Sequence, residues 1–248
     1  MSVPTRHTFF GLIAPALLCL AFVPLSSSAA STTGSGRSTT ESRSLAEFQA
    51  IALGGSMDLV VRQGNTQSVE VAADDNLLPL LETVVESGRH GATLQLRWKR
   101  GSSVSTRSKV VVTVVVPKLV ALAAAGAGDL RIESFNTPSL QLSISGSGDA
   151  RLAGLSTGEL GIKISGSGDV GGSGSAARLK LSIAGSGDVR LTEMKAEEVS
   201  VTIAGSGDVA VNANQTLEVN IAGSGDVSYT GNATVKSRIA GSGSVNRR

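Results

Sequence analysis

Six aspartates share one context in the second half of the chain. Asp129 closes a G-A-G-D tetrad that begins at Gly126, and Asp149, Asp169, Asp188, Asp208 and Asp226 close G-S-G-D tetrads that begin at Gly146, Gly166, Gly185, Gly205 and Gly223. A last tetrad, at Gly241, ends in Ser244. Acids repeated at one structural position could do three kinds of chemistry. Neighbouring carboxylates could share a cation, carboxylates beside arginines could act on a sugar chain, and Asp next to Gly could accept bonds from the N–H groups of a tight turn. Electrostatics separates these roles. Unit charges about 4.8 Å apart, the spacing of neighbouring strands, repel by about 0.9 kcal/mol in water and about 3.5 kcal/mol at an effective dielectric of about 20. A buried, unpaired ladder is therefore untenable, and the leading expectation is that each Asp stands on the solvent side of a turn and caps its N–H groups.

Arg131, Arg151 and Arg190 follow Asp129, Asp149 and Asp188 by two residues and so share their strand face, where they would offset the acids. Gly171, Ala210 and Ser228 hold that place after Asp169, Asp208 and Asp226, which leaves Asp208 and Asp226 as the weak calcium candidates. Calcium-binding β-rolls use a nonapeptide G-G-x-G-x-D unit, which this repeat does not match. For a polysaccharide-active enzyme the least implausible groups are Asp149, Arg151, Asp188 and Arg190. Trp98 and Tyr229 offer little aromatic surface for stacking sugars. A phosphate-cradling reading of the tetrad fails because such loops lead into a helix, and a strand pattern follows here. Outside the first 30 residues the one histidine, His90, lies by Gly88 and Gly91 in a turn-like stretch, without a nucleophile motif. The expectation is a non-enzyme with no catalytic residues, no cofactor and no confident metal site.

The elements that must position these residues follow from the spacing. Successive tetrads are 20, 20, 19, 20, 18 and 18 residues apart, and a period near 20 punctuated by glycine marks a solenoid whose units bury their apolar faces by stacking. Before each tetrad apolar residues alternate strictly, as in Leu140, Leu142, Ile144 and again in Val199, Val201, Ile203. Period two means strand. The fold class expected is all-β, a single-stranded parallel β-helix of about 18–20 residues per coil, with seven turns forming a rod of roughly 29 Å. The small residues Ser145, Ser165, Ala184, Ala204, Ala222 and Ala240 just before the tetrads suggest a crowded corner. Ser237 and Ser244 mark the last coil as degenerate, like a cap.

Ahead of the repeat, residues 31–44 are rich in Ser, Thr and Gly and read as a flexible linker. Strand-like alternation runs from Phe48 to Trp98, with a single helical turn expected within Asn76 to Val85. The β-branched run Val110 to Val116 suggests a strand buried on both faces, ended by Pro117. The domain is expected to span 45–248, with its repeats at 126–244.

The chain opens on a basic start, an apolar run from Phe9 to Val23 and small residues at Ser28, Ala29 and Ala30, the order of a signal peptide cleaved after residue 30. That run is too short for a membrane span, so none is expected after cleavage. Removing 1–30 takes away Cys19, the only cysteine, so the rest must be stable without disulfides. It also removes Arg6, leaving 22 − 1 = 21 basic against 20 acidic residues. So balanced a charge gives no support for nucleic acid as a partner. The location expected is outside the cytoplasm, in the periplasm or at the cell surface.

The run from Phe48 through Gly64, the Val-rich strand ending at Pro117, and the A-G-A-G-D-L and I-S-G-S-G-D-A units resemble the putative auto-transporter adhesin, head GIN-domain family of bacterial exported proteins, over roughly residues 45–246. The resemblance implies a β-helical envelope or surface protein for which adhesion is proposed, with a cell-surface or envelope protein or glycan as partner. Because the repeat is followed only by Asn246, Arg247 and Arg248, with no translocator barrel, the chain is not expected to secrete itself across an outer membrane.

Overall fold

The structure, a computed structural model, describes residues 1, 2 and 31–248. The signal-peptide segment expected at 1–30 thus lies almost wholly outside the described residues.

The repeat forms a parallel β-solenoid of about six turns. Strands Asn136–Gly146, Ala150–Gly166, Val170–Gly185, Val189–Gly205, Val209–Gly223 and Thr234–Gly241 each pair in parallel with the next, and the register stacks Gly146, Gly166, Gly185, Gly205, Gly223 and Gly241 in one column. Alternating residues point inward as their spacing requires. Leu140, Leu160, Leu179, Val199 and Leu217 form one fully buried column, and Ile144, Ile164, Ile183, Ile203 and Ile221 another. These aliphatic columns form a continuous core in which each coil covers its neighbour, the arrangement that lets a chain with 3% aromatic residues fold without cross-links. The two shorter coils lose residues at the second bend, where the pairing shifts between Leu191 and Lys195 and between Ala196 and Glu198. Among the described residues no helix is long and apolar enough to cross a membrane.

The small residues before each tetrad do not fill a crowded corner. Ser145, Ala184, Ala204, Ala222 and Ala240 are exposed and Ser165 partly so. Crowding falls instead on the two glycines of the tetrad. The first has positive φ throughout, 143° at Gly185 and 144° at Gly205, a region that L side chains rarely adopt. The second lies against the coil below: a Cβ on Gly187 would sit 2.2 Å from the carbonyl oxygen of Gly168.

The solenoid begins earlier than the tetrads suggest. Ala50–Gly54 pairs with Ala121–Gly126, and Asp58–Gln63 pairs with Leu130–Glu133, so Gly55-Ser56-Met57-Asp58 is a corner of the same kind. Met57 occupies the place of the second glycine, is fully buried, and hides the repeat from inspection. Beyond this coil lie strands from later in the chain: Gly91–Trp98 runs parallel to Ala50–Gly54, and Val111–Val116 parallel to Asp58–Gln63. Antiparallel strands close both flanks. Leu81–Gly88 pairs with Gly91–Trp98, and Ser68–Asp74 pairs with Val111–Val116. The helical turn expected within Asn76 to Val85 is a single 3₁₀ turn, Leu78–Leu80.

Two expectations are corrected here. Residues 31–44 contain strand Ser31–Thr33, parallel to Ser103–Ser105, and strand Ser38–Ser42, antiparallel to Ser68–Asp74. The stretch is held by partners far along the chain: the buried Asp74 carboxylate accepts bonds from Gly36 N at 3.1 Å, Arg107 N at 3.0 Å and Ser108 Oγ at 2.7 Å. Beside it Asp75 pairs with Arg37 at 2.7 Å, and Asn76 Nδ2 donates to the Thr33 carbonyl at 2.9 Å. The valine run Val111–Val116 is buried on one face and half-buried on the other, because Val112, Val114 and Val116 enter the core while Val111, Thr113 and Val115 do not.

Candidate functional site

Side chains that do not enter the core stand in rows along the flank that follows the tetrads, one row per strand position. The first row is Asp58, Asp129, Asp149, Asp169, Asp188, Asp208 and Asp226, ending in Ser244. At the tetrad turn the acceptor for an N–H of the next coil is a carboxylate oxygen. Oδ1 of Asp149 accepts the N–H of Asp169 at 2.9 Å, Asp169 that of Asp188 at 2.8 Å, Asp188 that of Asp208 at 2.9 Å and Asp208 that of Asp226 at 2.9 Å. Asp58 does the same for Asp129 at 3.0 Å, and Asp226 for Ser244 at 2.8 Å. All of the row's acids except Asp129 thus cap an N–H group of the next coil rather than of their own turn. Either side of this bond the backbone ladder is continuous, as in Ser186 N to Gly166 O at 3.0 Å and Val170 N to Asp188 O at 2.8 Å.

Asp208→Asn keeps the acceptor and should leave stability within about 0.5 kcal/mol, whereas Asp208→Ala should cost about 1 kcal/mol by stranding the N–H of Asp226. Chemical denaturation of both variants checks this. Equal losses would show that the charge, not the acceptor, is what matters.

The second row is Val60, Arg131, Arg151, Gly171, Arg190, Ala210 and Ser228. Arg190 bridges Asp188 at 2.7 Å and Asp169 at 3.3 Å, so Asp169, expected to lack a counter-ion, has one from the coil above. Arg131 turns instead toward Glu133 at 3.9 Å. The offsets expected of Arg131 for Asp129 and of Arg151 for Asp149 are not among the ion pairs formed. Asp208 and Asp226 are adjacent and exposed, at a shallow depression that also touches Ser228, Asn246 and Arg248. Among the described residues no group of three or more His, Cys, Asp or Glu side chains converges. With one oxygen of each carboxylate already bonded to backbone N–H, millimolar calcium is expected to leave the melting temperature unchanged. A rise reversed by a chelator would instead establish a cation site.

The longer part of this flank is an open groove of about 980 Å³, running from Asp58 past Asp129, Asp149 and Asp169 to Arg190 and Glu193. Asp149, Arg151 and Arg190 line it and Asp188 lines the neighbouring depression, on two coils separated by the coil of Asp169 and Gly171. His90 and Trp98 lie elsewhere, in the terminal hairpin: His90 is exposed, its carbonyl accepting a bond from Gln49 Nε2 at 3.0 Å, and Trp98 ends a strand and packs partly on the core. Tyr229 is half-buried against the last coils. The sequence showed the tetrad acids but not Asp58 and Arg62, which join the groove from the first coil, or Lys109, which joins it from just before Val111–Val116. The one signal for them was the imperfect tetrad at Gly55.

Three solved structures share this architecture. A putative adhesin from Bacteroides fragilis is 24% identical, with a TM-score of 0.79 over 88% of this chain and 100% of that one. A putative lipid binding protein from Parabacteroides distasonis is 25% identical, with a TM-score of 0.73 over 88% and 100%. A putative adhesin from the same organism is 24% identical, with a TM-score of 0.68 over 88% and 100%. No curated protein matches the sequence. Most of the solenoid, from its first corner at Gly55 to the tetrad at Gly223, falls within residues 47–233, which match the family described as putative auto-transporter adhesin, head GIN domain, and the chain belongs to that family.

Proposed function

We propose that the protein is an exported envelope or surface protein that binds without catalysing, its flank serving as the interaction surface for a cell-surface or envelope protein or glycan. The observation that carries this reading is the register of the flank: every coil but the last places an acid at the same point of a continuous parallel sheet, along open grooves rather than an enclosed pocket. The signal-like segment at 1–30 and the adhesin family support export.

Glycoside hydrolysis would need two carboxyl groups on opposite sides of the scissile bond. Asp149 and Asp188 lie on one open flank, on the same side of any chain laid along it, and each has Oδ1 committed to a backbone N–H. Lipid binding, the property named for the Parabacteroides relative, calls for an apolar cavity. Here the interior is filled by aliphatic columns and the open grooves are lined mainly by acids, arginines, glycines and other small residues.

Cell fractionation with surface labelling tests the proposal. The protein should appear in the envelope fraction, and recovery from the cytoplasm would overturn it. Incubation with polysaccharides should release no reducing ends. Release that disappears when Asp149, Arg151, Asp188 and Arg190 are all changed to Ala would establish the enzyme instead.

A further inference from the structure

Gly171 is a glycine that the backbone does not need. Its φ lies outside the positive range occupied by the corner glycines, and a Cβ built on it would meet nothing nearer than the Arg190 carbonyl oxygen at 3.9 Å. It sits within a strand as the last paired residue before a register shift to Ser173, and a glycine in a strand marks either such a bulge or a place that a ligand approaches closely; the open space at its Cβ position accords with the second. In the second row it stands between Arg151 and Arg190, directly opposite both in the pairing. It therefore opens a notch in the row of long side chains, bordered by two guanidinium groups and by Asp149 and Asp169.

The two arginines are not equivalent. Arg190 is held by Asp169 and Asp188, whereas Arg151 is exposed and forms no ion pair among the described residues, leaving its donors free at the edge of the notch. Asp149 uses Oδ1 internally, so its second oxygen is free as an acceptor. The notch thus offers a planar donor fork and a carboxylate acceptor side by side, the pair of groups that brackets vicinal hydroxyls. Around it the groove is lined by five cations and six acids, a near balance that gives no attraction for a polyanion or polycation.

The pitch of the rows narrows the ligand further. Rungs repeat about every 4.8 Å, whereas an extended peptide presents side chains on one face about every 6.7 Å. A peptide would fall out of step within a few coils. An extended glycan advances by slightly more than one rung per pyranose unit, so its units keep close to the rows over the few rungs around the notch. We propose that the Gly171 notch is a subsite for an extended, net-neutral glycan lying along the groove, with Arg151 and Asp149 bonding its hydroxyls. This rests on the reading of the flank as a binding surface and names the ligand class it takes.

The test is titration calorimetry of the purified protein with neutral β-linked gluco-oligosaccharides of increasing length, with galacturonate oligomers as the charged comparison. The neutral series should bind with affinity that rises with length and changes little between low and high salt. Gly171→Gln fills the notch without altering charge and should weaken binding at least about tenfold while leaving the melting temperature unchanged. Arg151→Ala should weaken it comparably. Absence of binding across the neutral series, preference for the galacturonates, or unaltered affinity in a folded Gly171→Gln variant would each overturn the proposal. An intracellular location would overturn the exported-surface reading but leave these titrations as they are, so the two can fail separately.

Discussion

Gly187→Ala is expected to destabilise the protein by about 3 kcal/mol or more, although it adds a single methyl group to an unstrained backbone. The added Cβ would lie 2.2 Å from the Gly168 carbonyl oxygen, 3.1 Å from its carbon and 3.2 Å from Ile164 Cγ2. None of these atoms is the free end of a flexible side chain. Gly168 is itself pinned, its N–H donating to Gly146 O at 3.2 Å, and any retreat of the upper coil stretches the bond from Ser186 N to Gly166 O. The strain passes to both neighbouring coils because each coil touches only the next. Ser186→Ala, one residue away and exposed, should change stability by no more than about 0.5 kcal/mol. Denaturant midpoints for the two variants decide the point. A Gly187→Ala protein as stable as Ser186→Ala would mean that the coils are not stacked in the register described.

Loss of Asp74 should free the amino-terminal strands. Its carboxylate is buried, and the Ser108 hydroxyl, the Arg107 N–H and the further N–H groups of Ser108 and Gly36 hold its pKa below the ordinary 3.8. Asp75 beside it is held low by the Ser35 hydroxyl and by Arg37. Such bonds favour the charged form, so folding is stabilised fully above the unfolded-state pKa, and that contribution disappears as pH falls through the lower folded-state value. The strap over residues 31–44 should therefore loosen in acid below about pH 4 while the solenoid body, which does not depend on these acids, stays folded. Asp74→Ala should loosen it at neutral pH. The expected results are loss of amide protection at Gly36, Arg107 and Ser108, cleavage by protease within 31–44, and a melting temperature lower by several degrees with a weaker dependence on acid. Retained protection at these three amides in the variant would show that strand pairing alone holds the strap.

The part of the fold legible in the sequence is the part governed by local repetition. Alternation of Leu, Val and Ile at period two requires strands with one buried face, and the spacing of the tetrads requires those strands to stack in register. Together they determine a parallel solenoid and place the tetrad acids in one row. What remained illegible depends on contacts between residues far apart. Met57 disguises the first corner because a buried thioether serves where the other corners need glycine. Residues 31–44 look like a linker by composition, and only the distant Asp74, Asp75 and Asn76 make them strands. The pairing of Arg190 with two acids, one from the coil below, likewise depends on a partner outside its own repeat.

The opening at Gly171 shows the same division. By its sequence the residue already stands outside the tetrads, in the place that Arg131, Arg151 and Arg190 hold, but nothing local shows that the backbone there leaves room for a side chain. Sequence by itself determined that this chain coils, with what period, and which acids share a row, because backbone periodicity and side-chain polarity act over a few residues. The tertiary structure decided which terminal strands cap the rod, which carboxylate oxygens are already spent, and which glycine stands free of constraint between two arginines, because those outcomes depend on what the neighbouring coil places within reach.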